Sequence, residues 1–138
     1  MKSYFAEFIG TTFLLAVVAG SGFMGETLGA GNAAVALLGN SIATGAGLYV
    51  LISLLGPVSG AHFNPVVSLM SWKLGQLELK KMLGYWACQF SGAITGIWLT
   101  HLMFSLPILQ ESTKVRTGLG IWASEFVSTL VLLAVIRV

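Results

Sequence analysis

The chain has 138 residues, of which 56% are hydrophobic and only 9% charged. A soluble domain carries about 25% charged residues, so the composition excludes a soluble enzyme or binding module and indicates an integral membrane protein. The net charge is +2 with the basic residues scattered, which leaves no nucleic-acid-binding signal, and Cys88 is alone, so no intrachain disulfide is available.

A membrane-spanning helix needs about 20 apolar residues, and four segments meet or approach that length. The first covers residues 4–23 and ends in AGSG (residues 19–22), which mimics a signal-peptide cleavage site. Glu7 within it is foreign to a signal peptide, so an uncleaved span is expected. The second covers residues 33–55.

Between the second and third spans lies SGAHFNPVVSLMSWKLG, residues 59–75. Its apolar run from Pro65 to Trp72 reaches only ~12 Å as a helix, so it ends inside the membrane. Pro65 suits a first helical position because its missing N–H costs nothing there. Asn64 suits the cap, its side-chain oxygen accepting from a free N–H and its NH2 remaining as a donor pair. The helix dipole adds positive potential at the same point. Non-helical backbone at that depth is tolerated only where it is buried in protein or lines a wet cavity. A neutral hydroxylic solute would find a donor at Asn64, and a cation would be repelled. On spacing alone, a capped re-entrant helix without a pore is an equal alternative.

The third span covers residues 83–106, with Pro107 where the helix is expected to stop. The fourth, residues 121–138, is at the lower limit of length. With the N-terminus inside, Lys2, Lys73, Lys80, Lys81 and Arg137 are cytoplasmic, and only Lys114 and Arg116 lie outside. That bias favours a cytoplasmic N-terminus in a multi-pass protein of the inner (plasma) membrane.

The motif SGAHFNPVV resembles the first signature loop of the aquaporin, or major intrinsic protein, family, with Asn64-Pro65-Val66 in place of the usual Asn-Pro-Ala. AEFIGTTFLL (residues 6–15), ATGAGLYVLI (43–52) and YWACQFSGAITG (85–96) resemble the family's first three helices. The resemblance implies an all-α, aquaporin-like integral membrane fold with about four transmembrane helices and one re-entrant half-helix. It implies that Asn64 is a donor at the midplane and that the carbonyls of Gly60, Ala61, His62 and Phe63 form a ladder of acceptors along a pore. It makes Glu7 a buried carboxylate that buttresses the loop, and His62 a residue that holds the loop rather than a metal ligand. Thr44, twenty residues before Asn64, falls at the family's outer constriction. Water-selective relatives carry a bulky aromatic there, so Thr44 suits glycerol or neutral hydroxides such as arsenite. MFSLPILQ (residues 103–110) is similar to bacterial members linked with arsenic handling.

The chain also repeats itself. EFIGTTFLLAVV (residues 7–18) and EFVSTLVLLAVI (125–136) share seven of twelve positions, 118 residues apart. This divides the chain into a first repeat, residues 1–118, and the first helix of a second, residues 119–138, an incomplete inverted repeat. By the repeat, Glu125 would buttress a second loop, which this chain does not contain. A pore therefore needs another copy of the chain or a second chain to close it. The GxxxG pair Gly92 and Gly96, and Ala43 with Gly47, are the faces expected to pack in that assembly.

The function expected is a channel, or half-channel subunit, for water and small neutral solutes in the bilayer. The alternative is a truncated, non-conducting fragment or a regulatory subunit. A proton- or metal-coupled transporter using Glu7, Glu125, His62 and His101 is disfavoured, because those residues sit on different segments without a ligand spacing. No metal, cofactor or enzymatic activity is expected. No nucleophile–base pair is evident, and the Gly-rich residues 25–31 lack a phosphate-loop pattern.

Overall fold

The computed structural model describes residues 1–111 and 117–137. The order is α1 (Lys2–Leu28), α2 (Ala33–Ser59), α3 (Pro65–Lys73), α4 (Leu79–Met103) and α5 (Leu119–Arg137). The architecture is all-α, with no strand among the described residues. Helices α1, α2 and α5 are long and apolar enough to cross a membrane. Helix α4 has 25 residues, ~37 Å of helix, and so has the length, but it carries buried Gln89 and Thr100. Lys114 and Arg116, the outer side of the charge argument, lie outside the described residues.

Residues 1–108 form one compact unit and 109–138 a second. Within the first unit α1 packs against both α2 and α4, and α3 lies on α4.

Local chemistry places the ends of these helices. Asn32 caps α2, its side chain accepting from the N–H groups of Ala34 at 3.0 Å and Val35 at 3.2 Å. Gly75, at φ 71°, follows α3 in the left-handed region. Gln76 N–H then returns to the Ser71 carbonyl and Gly75 N–H to that of Trp72, both at 2.9 Å. This pairing satisfies carbonyls at the helix end. The same motif ends α4, with Ser105 at φ 55° and Leu106 N–H on the His101 carbonyl at 2.8 Å. Helix α4 therefore stops at Met103, before Pro107 can act on it.

The contact between α1 and α4 depends on small residues. A Cβ on Gly92 would lie 2.6 Å from the Phe8 carbonyl oxygen, and one on Gly96 2.3 Å from that of Thr12. The GxxxG face expected to join chains is used inside this chain, against α1. Gly47 is used similarly, since a Cβ there would lie 3.0 Å from Val17. Helices without a hydrophobic driving force between them gain by such close approach, and the nearest long partner in the chain takes the face first.

Candidate functional site

The segment from Gly60 to Asn64 leaves α2 through Gly60, whose φ of 89° puts it in the left-handed region. Ala61 and Phe63 follow at φ 49° and 47°, a conformation costing of order 1–2 kcal/mol per non-glycine residue. The hydrogen bonds that offset this converge on Glu7. Its Oε1 accepts from Ser59 Oγ at 2.6 Å and from His62 N–H at 3.0 Å. Its Oε2 accepts from Phe63 N–H at 2.8 Å and from Gln89 Nε2 at 2.8 Å. Glu7 is fully buried, and hydrogen bonds to a charged group contribute about 1.5–3 kcal/mol each. The left-handed turns aim two successive N–H groups at one carboxylate, and Ala61 N–H is taken by Ser59 Oγ at 3.0 Å.

A second layer lies behind the first. Gln89 also donates to Ser68 Oγ at 3.0 Å, and His62 Nδ1 meets the same hydroxyl at 3.0 Å. Tyr85 donates to the Ser59 carbonyl at 2.7 Å and packs edge-on against the His62 ring, 5.3 Å between centroids. Trp86 Nε1 donates to the Pro65 carbonyl at 2.9 Å. The buried Phe63 ring fills the space over Gly10, where a Cβ would overlap it at 2.0 Å.

Asn64 caps α3, its Oδ1 accepting from Val66 N–H at 2.8 Å. Its NH2 has no partner among the described residues, and neither have the carbonyl oxygens of Gly60, Ala61, His62 and Phe63. The loop is chemically sided: the N–H groups of Ala61, His62 and Phe63 are taken by Ser59 and Glu7, while the carbonyls of residues 60–63 and the Asn64 NH2 are left over. Helix α3 has nine residues, ~13 Å of helix, and Asn64 lies at the positive end of its dipole.

Glu7, residues 60–64, Pro65 and the exposed Val66 side chain are thus brought to one place. Thr44 is not joined to them by hydrogen bonding. It lies fifteen residues before Ser59 on α2, ~22 Å along the helix, and its hydroxyl donates to Asn40 Oδ1 at 3.1 Å. Glu125 is exposed on α5, in the second unit. His101 Nδ1 pairs with the Ile108 carbonyl at 2.8 Å, closing the turn after α4.

Ser59, Ser68, Tyr85 and Gln89 hold the loop, a role that no motif along the chain assigns them. A signal exists in the register of α4, where Met82, Tyr85, Gln89, Gly92, Gly96 and Thr100 are its buried residues. That spacing of three and four puts polar and small residues on one face, the reverse of a soluble helix.

The family profile described as Major intrinsic protein matches residues 1–138. The chain is 51% identical over 131 residues to the aquaglyceroporin AqpS of Rhizobium meliloti (strain 1021), covering 95% of this chain and 56% of that protein. It is 32% identical over 124 residues to the probable aquaporin TIP1-1 of Oryza sativa subsp. japonica, covering 88% of this chain and 49% of that protein. To Aquaporin-8 of Mus musculus it is 33% identical over 107 residues, covering 70% and 40%. The chain spans about half the length of these curated relatives.

Proposed function

From a chain that belongs to the major intrinsic protein family, we propose one half of a membrane pore for water and small neutral solutes, glycerol and arsenite among them. Members of that family are channels, not enzymes. The remainder of the wall comes from further polypeptide. In this reading the free NH2 of Asn64 donates to a passing hydroxyl, and the carbonyls of Gly60, Ala61, His62 and Phe63 accept in turn. Pro65 and Val66 border the passage beside Asn64. Glu7 holds the loop from behind without touching solute. Protons and cations are opposed by the positive end of α3. Thr44 lines an outer constriction wide and polar enough for a polyol, a reading that accords with the name of the aquaglyceroporin relative. The N-terminus faces the cytoplasm of an inner-membrane protein.

The observation that carries this reading is the sidedness of the loop. Backbone acceptors and an amide donor without protein partners belong against water, because each unsatisfied group in lipid costs several kcal/mol. The experiment is flux of water and glycerol into liposomes of the purified chain. The expected result is permeation above that of lipid alone, lost in Asn64→Asp, whose carboxylate replaces the donor with acceptors. Permeation equal to that of lipid, or untouched by the substitution, would overturn the reading and favour a regulatory or non-conducting role.

A further inference from the structure

Independently of any pore, we propose that one end of the first unit is a binding site for the headgroup of an anionic phospholipid. Four lysines gather there. Lys2 begins α1, Lys73 ends α3, and Lys80 and Lys81 lie in the first turn of α4. The elements are held together at that end: the Tyr4 ring meets the Tyr85 ring edge-on at 5.8 Å, and Tyr4 also closes over Gly84, where a Cβ would lie 2.4 Å from its ring.

None of the four lysines has an ion-pair partner among the described residues. The chain has five acidic residues, and of these Glu78 alone lies between Lys73 and Lys80, beginning α4 without a side-chain capping bond. The patch keeps a net positive charge. Two of the ammonium groups rest on aromatic faces, Lys73 Nζ 4.8 Å from the Trp72 ring centre and Lys81 Nζ 5.5 Å from that of Tyr85. Cation–π contact holds the ammonium without neutralising it.

The helices that carry these lysines enter apolar surroundings from this end, so the ammonium groups lie at the depth of lipid headgroups. Lysines and aromatic rings at that depth attract anionic lipid. Of the sources of an anionic phosphate, the lipid is the one present at high local concentration along this rim. The site also touches the loop: Lys81 rests on Tyr85, whose hydroxyl holds the Ser59 carbonyl.

The test uses the full chain with Trp98 and Trp122 replaced by Phe, leaving Trp72 and Trp86 as reporters. It is placed in phosphatidylcholine vesicles holding either brominated phosphatidylglycerol or the same fraction of brominated phosphatidylcholine. The expected result is stronger quenching by the glycerol lipid, its preference falling about fivefold for each lysine removed in Lys80→Gln with Lys81→Gln. The charge-preserving pair Lys80→Arg with Lys81→Arg should retain the preference, which separates lost charge from a fold disturbed by substitution. Equal quenching by the two lipids overturns the proposal, as does a preference unchanged in the glutamine pair. Inorganic phosphate added to the vesicles should leave the preference intact. Its abolition would assign the patch to soluble phosphate instead.

Discussion

Glu7 has no charged partner among the described residues, yet it is fully buried. Four donors from Ser59, His62, Phe63 and Gln89 surround its two oxygens, and they replace the water that burial removes. Glu7→Gln puts an NH2 where one oxygen stood and turns it toward two donors. The expected loss is about 3 kcal/mol or more, from two hydrogen bonds to a charged acceptor at about 1.5–3 kcal/mol each. It should appear as a lower unfolding midpoint in detergent and as faster amide exchange at His62 and Phe63, with exchange in α5 unchanged. The buried Glu7 was legible from its unusual place in an apolar segment and from the family resemblance. Its side-chain donors were not, because Ser59 and Gln89 look like ordinary polar residues until the helices that carry them are packed.

The half-helix is the element that the sequence describes most fully. Its start at Pro65 and cap at Asn64 follow from local chemistry, and the structure places both there. Asn64→Ala should remove the capping bond at a cost of about 1 kcal/mol, measured by thermal unfolding in detergent. A comparison with Asn64→Asp separates the cap from the donor, since aspartate also caps. Stability should therefore survive in the aspartate variant while permeation is lost. The ends of α1 and α4 were less legible, because apolar length marks the stretch in lipid while local geometry sets the ends: α1 runs on to Leu28, and α4 begins early at Leu79 and stops at Met103, where Ser105 enters the left-handed region. Gly92 and Gly96 illustrate a different gap: the spacing announced a close-packed face but not its partner. Gly96→Val places bulk against the Thr12 carbonyl, and the expected cost is about 1–3 kcal/mol of overpacking, seen as a lower unfolding midpoint. The same substitution on a face between chains would instead lower only the oligomer content in crosslinking.

At the scale of the molecule, α2 is 27 residues long and none of them is buried. Its large apolar side chains, Leu37, Leu38, Ile42, Tyr49 and Leu54 among them, are exposed. In a membrane those side chains meet lipid or another polypeptide, whereas the polar side of residues 60–64 is suited to neither lipid nor an apolar wall. If two copies close one passage, permeation should rise more steeply than linearly with the number of chains per vesicle at low density. The measurement is water flux across a series of protein-to-lipid ratios, and strict proportionality, with crosslinking showing the chains separate, would show that a single chain conducts.

Membrane residence, the all-α class and the site of the half-helix were determined by the sequence itself. Each rests on the composition of a short stretch or on capping between neighbours, which the order of residues states directly. The tertiary structure decided how the loop is held. Glu7 meets its donors across 52 to 82 residues of chain, and that meeting exists only once α1 and α4 have closed over Gly92 and Gly96. A hydrogen bond is short-ranged, so no spacing along the chain can specify which distant donor will arrive within 3 Å of a carboxylate. Packing brings them together, and in doing so leaves the opposite edge of the loop without partners.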